Sequence, residues 1–321
     1  MSAAPNPATQ RGADAVPPGP RPAAALTGNV SRGPVERAVG VALAACALVT
    51  VATTVGIVVV LVWESIGFFG QVPLTEFFGA TEWTPLFVDG QFGVWPLVAG
   101  TLLVTAIAAA VALPLGLLAA VYVSQFATPR VRRVVKPALE LLAGVPTVVY
   151  GFFALTAVTP FLQTFVPGLG VYNALSAGLV VGVMILPLVA SLSEDALRSV
   201  PRRLGEGAYA LGATEGEVVW KVTVPAALSG IVASFILALS RAIGETMIVV
   251  LAAGATPQLT ADPRESIQTM TAFIVSATLG DTPQGSAVFQ GLFAVGLLLF
   301  LVTLAMNVGA QRIVRRYAQR A

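Results

Sequence analysis

Between Leu141 and Ser193 the chain runs for 53 residues without one charged side chain. A helix crosses the hydrocarbon core of a bilayer in about 20 apolar residues, so this run is too long for one crossing and too apolar for a soluble domain. It contains a single cluster of turn-forming residues, "TPFLQTFVPGLGVYN" at 159–173, where proline, glycine and amides favour a reversal. Two spans joined there are expected. Further uncharged runs at 38–63 and 90–129 (centred on 96–124), and apolar stretches at about 225–255 and 286–312, bring the expectation to six helices. The reading is an all-α membrane protein. Composition agrees: 11% of the 321 residues are charged, against roughly 25% in soluble domains, and the mean hydropathy is +0.84.

Charge sets the orientation. Arg11, Arg21, Arg32 and Arg37 precede the first span, and Arg130, Arg132, Arg133 and Lys136 lie between the second and third. Arg198, Arg202, Arg203 and Lys221 lie between the fourth and fifth, and Arg312, Arg315, Arg316 and Arg320 follow the sixth. The opposite loops hold Arg264 against Glu76, Glu82, Asp89, Asp262, Glu265 and Asp281. Cationic loops stay on the cytoplasmic side, so both termini are expected there. Residues 1–35, rich in Pro, Ala and Gly, are expected to be a disordered cytoplasmic tail. Residues 36–321 would then form the transmembrane domain, with a long cytoplasmic loop at about 194–225. The apolar run from Ala38 is too long and too late for a signal peptide.

Several chemistries are excluded by what the chain lacks. It has no histidine, which rules out imidazole metal sites and histidine-based triads, and its lone Cys46 permits no internal disulfide. No G-x-x-x-x-G-K-[ST] loop is present to cradle ATP phosphates. A net charge of +2 gives no reason to expect nucleic acid; the basic clusters suit membrane lipid.

The long loop carries "EGAYALGATEGEVVWKVTVP" at 206–225, a polar island between two apolar spans. Ser199 as N-cap and an apolar stripe of Leu204, Ala208 and Leu211 predict one short helix. Gly212 suits its left-handed end. Thr214 with Glu217 forms a capping box for a second helix, and Glu217 with Lys221 an i,i+4 pair. Such a helix pair either docks a partner or rests on headgroups; local features alone leave both open.

Arg241 lies 16 residues beyond Pro225, about 24 Å along a continuous helix. A charge at that depth costs about 2.5–3.5 kcal/mol on insertion scales, so a compensating group is expected, and Glu245 stands one turn on. Ser234, Ala238, Gly244 and Ala252 share that face. Arg241 and Glu245 are then either a packing ion pair or an anion pathway, with Glu245 as counter-charge when the site is empty. Guanidinium geometry suits phosphate. Glu140 is expected to pair with Lys136, and Pro114, Pro146 and Pro187 to kink their helices.

Glu206-Gly207-Ala208, then Gly212 after three residues, then Val222-Thr223-Val224-Pro225 after nine, resembles the coupling-helix signature of ABC importer permeases, Glu-Ala-Ala…Gly…Ile-x-Leu-Pro. Gly207, Val222 and Val224 are conservative departures from it. "EFFGATEWTP" (76–85), "LLAGVPTVVYGFFAL" (141–155), "SRAIGETM" (240–247) and "IQTMTAFIVSATLGD" (267–281) look like the PstC-type permease of phosphate importers. Together the likeness covers about residues 36–316. The resemblance implies a type I permease fold in which Glu206, Gly207, Ala208, Gly212, Val222, Val224 and Pro225 are gripped by a separate ATPase. It also places Arg241 and Glu245 in the substrate pathway, which the stripe extends to Ser234. It implies a PstA-like second permease, a PstB-like ATPase dimer that uses the ATP and Mg, and a PstS-like extracytoplasmic phosphate-binding protein. This chain would bind no cofactor and catalyse nothing. The alternatives are a sulfate or molybdate permease, a proton-coupled secondary transporter or a non-transporting scaffold.

Overall fold

The computed structural model describes residues 33–318 apart from Leu86, Val88, Asp89 and Asp281, with side chains given as far as Arg312. The expected disordered tail falls outside these residues except at its end, where a helix already begins at Pro34. The chain divides at Thr54/Val55 into two units. The described part of the first is the opening half of α1 (Pro34–Gln71), exposed along its whole length.

The second unit is helical among its described residues. It holds the rest of α1, α2 (Leu74–Gly79), α3 (Trp95–Phe126), α4 (Pro129–Gly144), α5 (Thr147–Gln163) and α6 (Ala174–Ser199). There follow α7 (Arg202–Ala210), α8 (Glu215–Ala226), α9 (Leu228–Ile243), α10 (Met247–Ala252), α11 (Met270–Leu279) and α12 (Ala287–Ala318). Among the described residues, four helices, α1, α3, α6 and α12, are long and apolar enough to cross a membrane, and two bent pairs raise the number of candidate spans to as many as six. The caps are local and legible. Asn173 Oδ1 accepts from the Ser176 N–H at 2.7 Å to start α6, Thr269 caps α11, and Pro96 and Pro129 sit in first turns, where their missing N–H costs nothing.

Two expected spans differ from the fold. Leu141–Gly144 are the end of α4, and the expected third span is not straight there, because Pro146 denies a helical N–H at that point and turns α5 away by 89°. The fifth span is broken twice. α8 and α9 meet at 69° around Ala227, and α9 stops at Gly244 before α10 resumes. The 24 Å depth reckoned from Pro225 therefore fails, since no straight helix joins that residue to Arg241. Pro114 and Pro187 sit inside α3 and α6, which run on through them. Wide π-type turns occupy Tyr122–Phe126 at the end of α3, Ala154–Val158 in α5 and Val219–Thr223 in α8.

The core is built on close approach of α3 and α6. A Cβ placed on Gly178 would fall 2.6 Å from Ile107 Cβ, and one on Gly182 would fall 3.1 Å from the Ala108 carbonyl. In lipid, where burial gives no drive between helices, small residues at i,i+4 allow the backbone contact that holds them. Val104, Ala108, Val181, Ile185 and Ala238 fill this seam. An aromatic cluster of Phe68, Phe77, Trp83, Phe92 and Phe273 packs edge-on at the other end, around the segment linking α2 to α3. A third cluster, with Leu197, Val219, Ala227 and Ile231, seats α8 on α6 and α9.

Candidate functional site

Two constellations stand out. The first is the helix pair α7–α8. α7 ends in a Schellman turn: the Ala213 N–H donates to the Ala208 carbonyl at 3.2 Å and the Gly212 N–H to that of Tyr209 at 2.9 Å. Gly212 sits at φ +85°, the left-handed conformation expected of it. Thr214 and Glu217 complete the capping box of α8. Lys221 Nζ lies 2.8 Å from Glu217 Oε1, and its hydrogen bond, with those from the Thr214 N–H and hydroxyl, lowers the Glu217 carboxyl from 4.5 to about 2. Ser199 is not the cap of α7: it belongs to the last turn of α6, where its hydroxyl donates to the Ala196 carbonyl. Pro201 takes that position.

The pair is held from beneath by buried Val218 and Val219 and half-buried Val222 and Val224, while Glu206, Gly207 and Pro225 are exposed and Ala208 half-buried. Leu211 is 91% exposed, and Leu204, Tyr209 and Trp220 are about half exposed. Nothing lies within 4 Å of a Cβ placed on Gly207 or Gly212. The outer face of the hook is apolar, rigidly capped and open.

The second constellation surrounds Arg241. Near the end of α9, this exposed residue lines a cavity of about 210 Å³ together with Lys136, Glu140, Ser191 and Glu194. Glu245 is not its partner, for the two make no ion pair in this structure. α9 ends between them, and Glu245 instead turns inward, where its Oε1 accepts from the Ile248 N–H at 3.3 Å. The Glu245 carbonyl accepts the Thr271 hydroxyl at 2.7 Å, tying α11 to this break. Ser234 is buried, its hydroxyl 2.7 Å from that of Ser193, so it bridges α9 to α6.

Glu194 is a member of this site that was not expected from the sequence. Its side chain is 3% exposed and meets Lys136 at 3.1 Å, Arg198 at 3.5 Å and Arg132 at 3.9 Å. The expected Lys136–Glu140 pair is therefore replaced by Lys136–Glu194. Arg132 also donates to the Val123 and Ser124 carbonyls at the end of α3, at 2.6 and 3.1 Å. The only local signal was Arg198 at i+4 from Glu194; Arg132 and Lys136 arrive from another helix.

Residues 112–319 match the model of the binding-protein-dependent transport system inner membrane component family. The chain belongs to that family. It is 36% identical over 262 residues to the "Probable ABC transporter permease protein YqgH" of Bacillus subtilis, covering 81% of this chain and 84% of the relative. It is 35% identical over 283 residues to "Phosphate transport system permease protein PstC 1" of Mycobacterium tuberculosis, covering 77% and 83%. The solved structure of a bacterial alginate ABC transporter, in complex with an alginate-pentasaccharide-bound periplasmic protein, superposes with a TM-score of 0.60 at 16% identity, over 85% of this chain and 94% of that one. The chain is thus a permease subunit of an ABC importer, a multi-pass inner-membrane protein that is not itself catalytic. Membership implies an ATPase and a binding protein as its working partners.

Proposed function

We propose that this importer moves inorganic phosphate into the cell and that the chain is its PstC-type permease subunit. The observation that carries this reading is a cavity lined by Arg241 and Lys136 in a chain whose relatives include phosphate permeases. Arg241 borders that cavity and makes no ion pair with its two carboxylates, Glu140 and Glu194, and several relatives at 31–35% identity are named phosphate permeases. The Bacillus subtilis relative's name specifies no substrate, so phosphate rests on the others and on the guanidinium.

In this reading each bent pair contributes one span, α5 the third and α9 with α10 the fifth, giving six in a type I permease fold with both termini in the cytoplasm. Arg241 binds the oxyanion through parallel N–H bonds, and Glu245 and Ser234 hold the break and the helix contact that place it. Residues 1–35 form a cytoplasmic tail, and residues 36–321 the permease domain. The loop at about 194–225 projects into the cytoplasm, where one subunit of a PstB-like ATPase dimer grips Glu206, Gly207, Ala208, Gly212, Val222, Val224 and Pro225. ATP and Mg belong to that partner. A PstA-like permease completes the pathway and a PstS-like protein delivers phosphate from outside.

The test is uptake of labelled phosphate in a strain lacking the native permease. Complementation with this chain is expected to restore ATP-dependent uptake that survives collapse of the proton gradient, and Arg241→Gln to abolish it. Restored uptake of sulfate or molybdate in place of phosphate would reassign the substrate. Uptake that dies with the proton gradient while ATP is plentiful would sink the reading as a whole.

A further inference from the structure

We propose that the cavity between α4, α6 and α9 is an oxyanion vestibule in which Lys136 and Arg241 are the ligands and Glu194 is the resident counter-ion of the empty state. The inference rests on the reading that Arg241 lies in the anion pathway. It assigns Glu194 the part that helical spacing alone would give Glu245.

A buried carboxylate demands full compensation, yet the compensation at Glu194 is uneven. Oε2 has Lys136 Nζ at 3.1 Å, whereas Oε1 is buried with no hydrogen bond and only distant guanidinium nitrogens, at 3.5 and 3.9 Å. Arg132 spends its best hydrogen bonds on the Val123 and Ser124 carbonyls. Three cations thus surround one carboxylate, and of these only Lys136 lines the cavity itself, together with Arg241, Glu140 and Glu194. That lining is two cations against two carboxylates, but Arg132 and Arg198, behind Glu194, offset its charge, which leaves Lys136 and Arg241 facing Glu140 alone. The space is about 210 Å³, well above the ~15 Å³ a single water needs. Ser191 supplies a hydroxyl on the same wall.

An entering oxyanion takes Lys136 from Glu194 and joins it to Arg241, while Arg132 and Arg198 stay behind on the carboxylate. Glu194 is therefore a competitor that keeps the vestibule charged but not sticky. Because Lys136 makes the shorter of the two contacts from α4 to Glu194 on α6 and Arg132 keeps the longer one, occupancy weakens the tie between the two helices. That is a local event a conducting subunit can use to release its cargo.

The experiment measures binding of labelled orthophosphate to the full-length chain in phosphatidylcholine nanodiscs. Saturable binding is expected, weakened about tenfold or more in Lys136→Gln by loss of one charge-assisted hydrogen bond and largely kept in Lys136→Arg. Glu194→Gln is expected to bind several times more tightly, since the competitor is gone. Its melting profile checks that the fold survives, and if it does not, the two Lys136 variants decide alone. Absence of saturable binding to the wild-type chain, or Lys136→Gln binding like wild type, overturns the vestibule. Loss of binding when phosphatidylglycerol is added at constant ionic strength assigns the cavity to a lipid headgroup and overturns it too. Should Arg241→Gln abolish uptake while Lys136→Gln leaves binding intact, the vestibule fails and the phosphate permease stands. Should Arg241→Gln transport normally, the broader reading fails first.

Discussion

Gly207 and Gly212 lie five residues apart in one hook, yet their replacement by alanine has opposite expected effects. Gly207 is helical and open, so Gly207→Ala should stabilise the isolated chain by up to about 1 kcal/mol. Gly212 is held at φ +85°, so Gly212→Ala should cost about 1–2 kcal/mol in strain with no clash at all. Denaturation of both variants in detergent checks the signs. A transport defect in Gly207→Ala without loss of stability then reports on contact with the ATPase. The pair of α8 residues gives a pH prediction. Because Glu217 titrates near 2 in the folded hook and at about 4.5 free, its contribution is whole above pH 4.5 and disappears as pH falls towards 2. Amide exchange of α8 in wild type and Glu217→Gln should differ fully at the upper end and converge at the lower. Both features were legible in the sequence because cap, turn and i,i+4 pair involve residues within five positions. Glu194 was not, since half of its environment comes from α4 and no spacing encodes a contact between helices.

At the scale of elements, the seam between α3 and α6 is the sharpest constraint. Gly178→Ala drives a methyl to within 2.6 Å of Ile107, and overpacking of this kind costs about 1–3 kcal/mol. A matching fall in melting temperature is expected in detergent, larger for Gly178→Leu; an unchanged melt for both would mean the helices are held elsewhere. The Gly178-x-x-x-Gly182 spacing was available in the sequence as a packing signal. The bends were harder to see. Hydropathy stays high through Leu141–Gly144, so it could not separate the tail of an amphipathic α4 from a span, and only Pro146 marked the boundary. Between α9 and α10 no proline warns of the break, which depends on tertiary bonds to Glu245 such as the one from Thr271.

For the whole molecule the outstanding expectation is sidedness, read from cations that cluster at one set of loops. Leu211 is 91% exposed and Leu259 56% exposed, which suits both to thiol labelling once Cys46 is replaced by serine. Leu259→Cys should react with an impermeant maleimide in intact cells, and Leu211→Cys only after the membrane is opened. The reverse pattern would invert the orientation and detach the hook from any cytoplasmic ATPase. A different consequence follows from the wide turns at Tyr122–Phe126, Ala154–Val158 and Val219–Thr223. Each accommodates one residue more than an α-helical turn, whereas losing a residue from a regular stretch swings everything downstream by about 100°. Single-residue gaps between relatives should therefore gather at these three places, where a shorter sibling keeps every facing side chain in phase.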